Sequence, residues 1–230
     1  MKLADLQLLP DDSRPAALRD WVPVQDEVLG AAALALGTGL PDLARRWAQS
    51  AGPAGAALEA AAALRLGQLQ EALELIGPLP GDARRAVLLA RAHWLGGDPD
   101  SCWAEAARSQ ARQEGDAPAL VAAVTVLGEV QLSDARAALR TLAEGLKVAE
   151  MTGEAADAHL LAVLAYVQRF VGSGAMGSEV KAHRTAHKAL ERSAPRSPAR
   201  VWALLALGRE VEARAEAEAG QLAAGWWPRH

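Results

Sequence analysis

Residues 56–76 read AALEAAAALRLGQLQEALELI, two alanine- and leucine-rich segments parted by Gly67 and Gln68. Strong helix formers fill both halves and β-branched residues are nearly absent, so the stretch is read as two helices joined by a tight turn. Gly67 releases the first helix into that turn. Ala72, five residues on, is small enough to let the second helix lie close against the first.

Outward from this hairpin, a glycine followed five residues later by a small residue recurs as Gly39/Ala44, Gly97/Cys102, Gly177/Ala182 and Gly208/Ala213, and Val130/Ala135 keeps the phase without glycine. Every pair falls in a break between amphipathic segments. The pattern predicts helices near 24–37, 41–50, 54–66, 69–77, 83–95, 99–113, 118–131, 134–151, 154–171, 177–192, 198–207 and 209–222, with no strand. Asp98-Pro99 and Ser197-Pro198 each offer an N-cap acceptor followed by proline at the first helical position. Asp82, Asp116 and Ser133 are further caps, and Gly52, Gly115 and Gly153 stand where helices end. Residues 1–23, interrupted by Pro10, Pro15 and Pro23, read as an extended N-terminal cap whose Leu3, Leu6, Leu9, Leu18 and Trp21 cover the open end. Residues 24–222 form the repeat domain, and 223–230 a tail.

Bulk composition supports this all-α reading. Of 230 residues 51% are hydrophobic, yet Phe, Tyr and Ile occur once each. A net charge of −4 gives no global attraction to phosphate, which disfavours nucleic acid as a partner. The apolar runs around 119–126 and 160–167 are too short to span a bilayer, so no membrane is expected. A lone cysteine and no secretory leader point to the cytoplasm. The scarcity of lysine and absence of asparagine read as the coding bias of a GC-rich bacterial genome.

The segments Gly67-Gln-Leu-Gln-Glu-Ala72 and Leu95-Gly-Gly-Asp-Pro-Asp-Ser-Cys-Trp103 resemble the inter-helix turn of the tetratricopeptide family, with Ala60 and Ala90 where that family places its small helix-A residue. Leu127-Gly128 through Leu139 and Leu146–Gly153 resemble repeats in sensor regions of bacterial transcription activators. The resemblance covers about residues 25–222 and implies a right-handed α-solenoid of about six helix-turn-helix hairpins. The chain departs from the family in periods often shorter than about 34 residues, in missing consensus aromatics and in a loose turn over 172–177. By the family's phase, the first helix of each pair lines a concave groove, with Arg65, Arg84, Arg91, Trp94 and Trp202 facing a protein or peptide partner, alongside Leu64, Val87 and Leu205. The carboxylate clamp of chaperone-binding members needs asparagine and is excluded.

No catalytic motif is present, and neither a metal nor a cofactor is expected. His183 and His187, four apart with Glu179 a turn earlier, have metal-ligand spacing. They read better as interface histidines, packed beside Val180, Ala186 and Leu190. Cys102 reads as a small packing residue. Lys181, Arg184, Lys188 and Arg192 step along one helix face, and Arg196 and Arg200 continue just beyond. This basic stripe reads first as an ordinary solvated helix face and alternatively as a surface that would grip an acidic helix or a nucleic-acid backbone. The expected function is a non-enzymatic protein-binding scaffold. Its alternatives are nucleic-acid binding through the stripe and self-association through the terminal hairpins. The adjacent Trp226 and Trp227 are expected to fold back over the last hairpin.

Overall fold

The computed structural model describes residues 2–98, 100–153, 156–171 and 176–229. Among these, fourteen α-helices and three short 3-10 turns make up the regular structure, and no strand occurs. The helices are α1 (Leu3–Gln7), α2 (Arg14–Asp20), α3 (Val28–Gly37), α4 (Pro41–Ser50), α5 (Ala56–Leu66), α6 (Leu69–Ile76), α7 (Ala83–Gly96) and α8 (Cys102–Glu114). They continue as α9 (Ala117–Val130), α10 (Ala135–Thr152), α11 (Ala158–Val171), α12 (Met176–Arg192), α13 (Pro198–Ala206) and α14 (Glu210–Ala219). The loose turn expected over 172–177 falls at 172–175 outside the described residues, and α12 already runs from Met176.

Local chemistry sets these boundaries. Asp82 accepts from Arg85 N, Asp116 from Ala119 N and Ser197 from Arg200 N, each satisfying a helix-start donor. At α10 the cap is Asp134 rather than Ser133, its carboxylate taking Arg136 N and Ala137 N. Gly67 and Gly97 end α5 and α7 in the left-handed region at φ 77° and 89°, where a side chain would be strained.

Two stretches differ from expectation. Most of residues 3–20 are helical rather than extended, forming α1 and α2, and Pro15 sits in the first turn of α2, where its missing N–H is harmless. Leu6 and Leu18 are wholly buried in one cluster with α3 and α4, and Trp21 meets Trp47 edge-on at 5.9 Å. The helix expected from Asp98-Pro99 starts only at Cys102; Pro99 lies outside the described residues. Asp98 accepts from Asp100 N and Asp100 from Cys102 N, two successive turns that delay α8. Cys102 is consequently exposed, and Ala104 takes the buried position. Ala44, Ala72, Ala182 and Ala213 are buried as the spacing predicts.

From α3 to α14 each helix packs on the next, and α5, α7, α9, α11 and α13 also pack in series. Alanine dominates the contacts. Ala60, Ala63, Ala72, Ala90, Ala104 and Ala107 all lie in one buried cluster, where small side chains let backbones approach closely. The last residues return to the first helices: Gln221 Nε2 donates to Asp42 at 2.6 Å, and Ala223 N to Arg65 O at 3.1 Å.

Candidate functional site

Helices α5, α7 and α13 bring Arg65, Arg91, Trp94 and Trp202 to one place, and the chain's own C-terminal residues occupy it. Trp226 Nε1 donates to Leu64 O at 3.1 Å, and Trp226 O accepts from Trp202 Nε1 at 2.8 Å. The Arg91 and Arg65 guanidinium carbons stand 4.9 Å and 5.7 Å from the Trp226 ring centroid, in range for cation–π attraction. Arg229 donates to Trp94 O and Leu95 O, capping the open carbonyls at the end of α7, and stacks over Trp94 at 5.4 Å. This face is therefore filled rather than open. Arg84 stands apart, its side chain 75% exposed and paired with Asp116 at 3.2 Å.

Beneath Trp226 lies a buried ionic network that sequence periodicity did not reveal. Arg91 donates to Glu129 Oε2 from α7, and His159 Nε2 lies 2.8 Å from Glu129 Oε1 from α11. Glu129 is 1% exposed. Burial works to raise its carboxyl, but the Arg91 and His159 charges and hydrogen bonds outweigh it and hold the group down at about 2. Arg65 is held down to about 10, first by burial and then by repulsion from Arg91. A signal existed in the sequence: Glu129 interrupts the apolar face of 119–130, and Arg91 that of 86–95.

The basic stripe divides in two. Lys181, Arg184, Lys188 and Arg192 are exposed on α12 and, with Leu146 and Ala149 of α10 and Leu161 and Leu164 of α11, line a groove of about 510 Å³. Among the described residues no ion pair engages these four cations, although Glu150 also faces the groove and Arg192 Nη1 donates to Ala156 O at 3.1 Å. Arg196 and Arg200 do not extend the stripe. Arg196 lies in a left-handed turn at φ 63°, and Arg200 pairs with Glu216 at 2.8 Å.

His183 and His187 are exposed rather than packed at an interface, because Ala182, Ala186 and Ala189 take the inner face of α12. No group of three or more histidine, cysteine or acidic side chains suited to a metal occurs among the described residues. The Cys102 thiol is pushed up by its hydrogen bond to Asp100, opposite to what a reactive thiolate needs. His93 stacks on Trp103 at 4.1 Å and meets Asp98 at 3.1 Å. No helix of the described residues is long and apolar enough to cross a membrane. In comparisons with known proteins the chain matches no family model, no curated protein and no solved structure.

Proposed function

We propose that the chain is a non-enzymatic helical-repeat scaffold, a right-handed solenoid of six hairpins running from α3/α4 to α13/α14, that binds a protein partner through an acidic amphipathic helix. The helix lies in the groove between α10 and α12, over the floor made by α11. One observation carries this reading: four exposed cations without ion-pair partners among the described residues border an apolar floor. A helix with one acidic and one apolar stripe complements both features, whereas a nucleic-acid backbone would leave the apolar floor unused. Lys181 to Arg192 covers about three helical turns, so a partner segment of about four turns suffices. The alternation of paired helices and the resemblance to tetratricopeptide turns support a scaffold of this kind.

Fluorescence anisotropy with a labelled acidic amphipathic peptide tests it. Reversing Lys181, Arg184, Lys188 and Arg192 to glutamate is expected to weaken binding more than about a hundredfold with helicity unchanged, because exposed charges contribute little to folding. Arg84→Ala should leave binding intact. Peptide capture that survives the reversal would refute the groove. Tighter, steeply salt-dependent binding of a DNA or RNA duplex would replace the protein partner with nucleic acid.

A further inference from the structure

The two walls of the groove between α10 and α12 carry opposite charge. The α12 wall presents Lys181, Arg184, Lys188 and Arg192 in sequence over about three turns. The α10 wall presents Leu146, Ala149 and one acid, Glu150. Arg192 Nη1 donates to Ala156 O, which holds the end of α12 beside the start of α11, and Glu150 stands in the last turn of α10, just before that same start. Glu150 and Arg192 therefore mark one end of the groove, with Lys181 at the other.

Glu150 is exposed and makes no ion pair among the described residues, not even with Lys147 one turn earlier on α10. Its carboxylate also sits at the negative end of the α10 dipole, where a negative charge costs the helix stability rather than supporting it. The free chain thus leaves on this wall an anion whose demand for a cation is unmet. The positive N-terminal end of α11 does not meet it, because Asp157 Oδ1 already accepts from His159 N and Leu160 N there.

We propose, resting on the reading that this groove holds an amphipathic helix, that Glu150 selects the partner's charge pattern: acids along the flank of the apolar stripe that faces α12, and a lysine or arginine near one end of the opposite flank, facing Glu150. A helix acidic on both flanks pairs with the α12 cations but brings a like charge to Glu150, and a helix basic on both flanks does the reverse. The split pattern satisfies both walls. Because the acidic flank must face α12, it fixes the direction in which the helix lies, and Glu150 then fixes its register.

Fluorescence anisotropy on the full chain tests this with peptides that share one apolar stripe and one acidic flank and differ on the other flank. That flank carries glutamine at both ends, lysine in the first or in the last turn, or glutamate in place of the lysine. One of the two lysine peptides is expected to bind about tenfold more tightly than its glutamate counterpart at low salt, with the gap narrowing as salt rises. Glu150→Gln should remove that preference and Glu150→Lys should reverse it, both with helicity unchanged, because an exposed charge contributes little to folding. Lysine and glutamate peptides that bind alike to the unmodified chain, or a lysine preference that survives Glu150→Gln, would overturn the role of Glu150 while leaving the groove in place. Binding of the glutamine peptide that survives reversal of Lys181, Arg184, Lys188 and Arg192 to glutamate would overturn the groove, and this inference with it.

Discussion

Replacing Arg91 by methionine removes the cation that holds Glu129 ionised in the interior while keeping the length of the side chain. The gap between an ordinary glutamate carboxyl near 4.5 and one near 2 corresponds to about 3 kcal/mol of stability at neutral pH. Breaking a buried pair by taking one partner leaves the other uncompensated, at about 3–5 kcal/mol, so the two routes agree in size. The sign of the pH effect follows. In the native chain the folded-state carboxyl is depressed, so its contribution is complete above about pH 4.5 and is lost as pH falls toward 2. In Arg91→Met the buried carboxylate is relieved by taking up a proton, so the deficit relative to the native chain should shrink on acidification. Urea unfolding followed by circular dichroism between pH 8 and pH 2 measures both. The double variant Arg91→Met with Glu129→Leu should recover most of the loss, because apolar residues replace a buried ion pair at little net cost. A single variant that loses less than about 1 kcal/mol, or a double variant no better than the single, would show that Glu129 carries no buried charge held by Arg91.

Two further substitutions probe the packing. Ala72→Leu should overpack the α5/α6 hairpin at about 1–3 kcal/mol, since Ala72 is fully buried, and an unchanged melting midpoint would refute that placement. Gly67→Ala should cost about 1–2 kcal/mol for its left-handed backbone alone, and more because the added methyl meets Ala223. Loss of the Trp226 fluorescence environment in that variant, before global unfolding, would report release of the tail.

The helices between 24 and 222 were legible because their signals are local. Ser197-Pro198, Asp82 and Asp116 cap the helices they precede, and glycines 67, 97, 115 and 153 end helices at positive φ. What was not legible depended on residues far apart in the chain or on competing local bonds. Arg91, Glu129 and His159 belong to three helices, and each alone looks like a charged residue on an apolar face. The delay of α8 arose from two aspartate side chains competing with the helix for backbone donors. The stripe broke at Arg196 because the chain turns there, so Arg200 belongs to α13 and meets Glu216 of α14.

The arginines favour the proposed groove between α10 and α12 over the face that Trp226 occupies. The resemblance put Arg65 and Arg91 on a concave binding face, but their interactions are already made within the chain. Arg91 is held by Glu129 and Trp226, and Arg65 lies against Trp226. Arg229 and Arg169 cap the carbonyl ends of α7 and α13, at 2.8 Å to Leu95 O and Ala206 O. A partner on that face would have to displace Trp226 and Arg229 and replace their hydrogen bonds one for one, gaining little net free energy. Lys181, Arg184 and Lys188 hold charge that no carboxylate among the described residues neutralises. On the proposed reading, an acidic helix there would form ion pairs that are missing among the described residues and would cover exposed apolar surface, so its interactions would add to the free energy instead of substituting for existing ones.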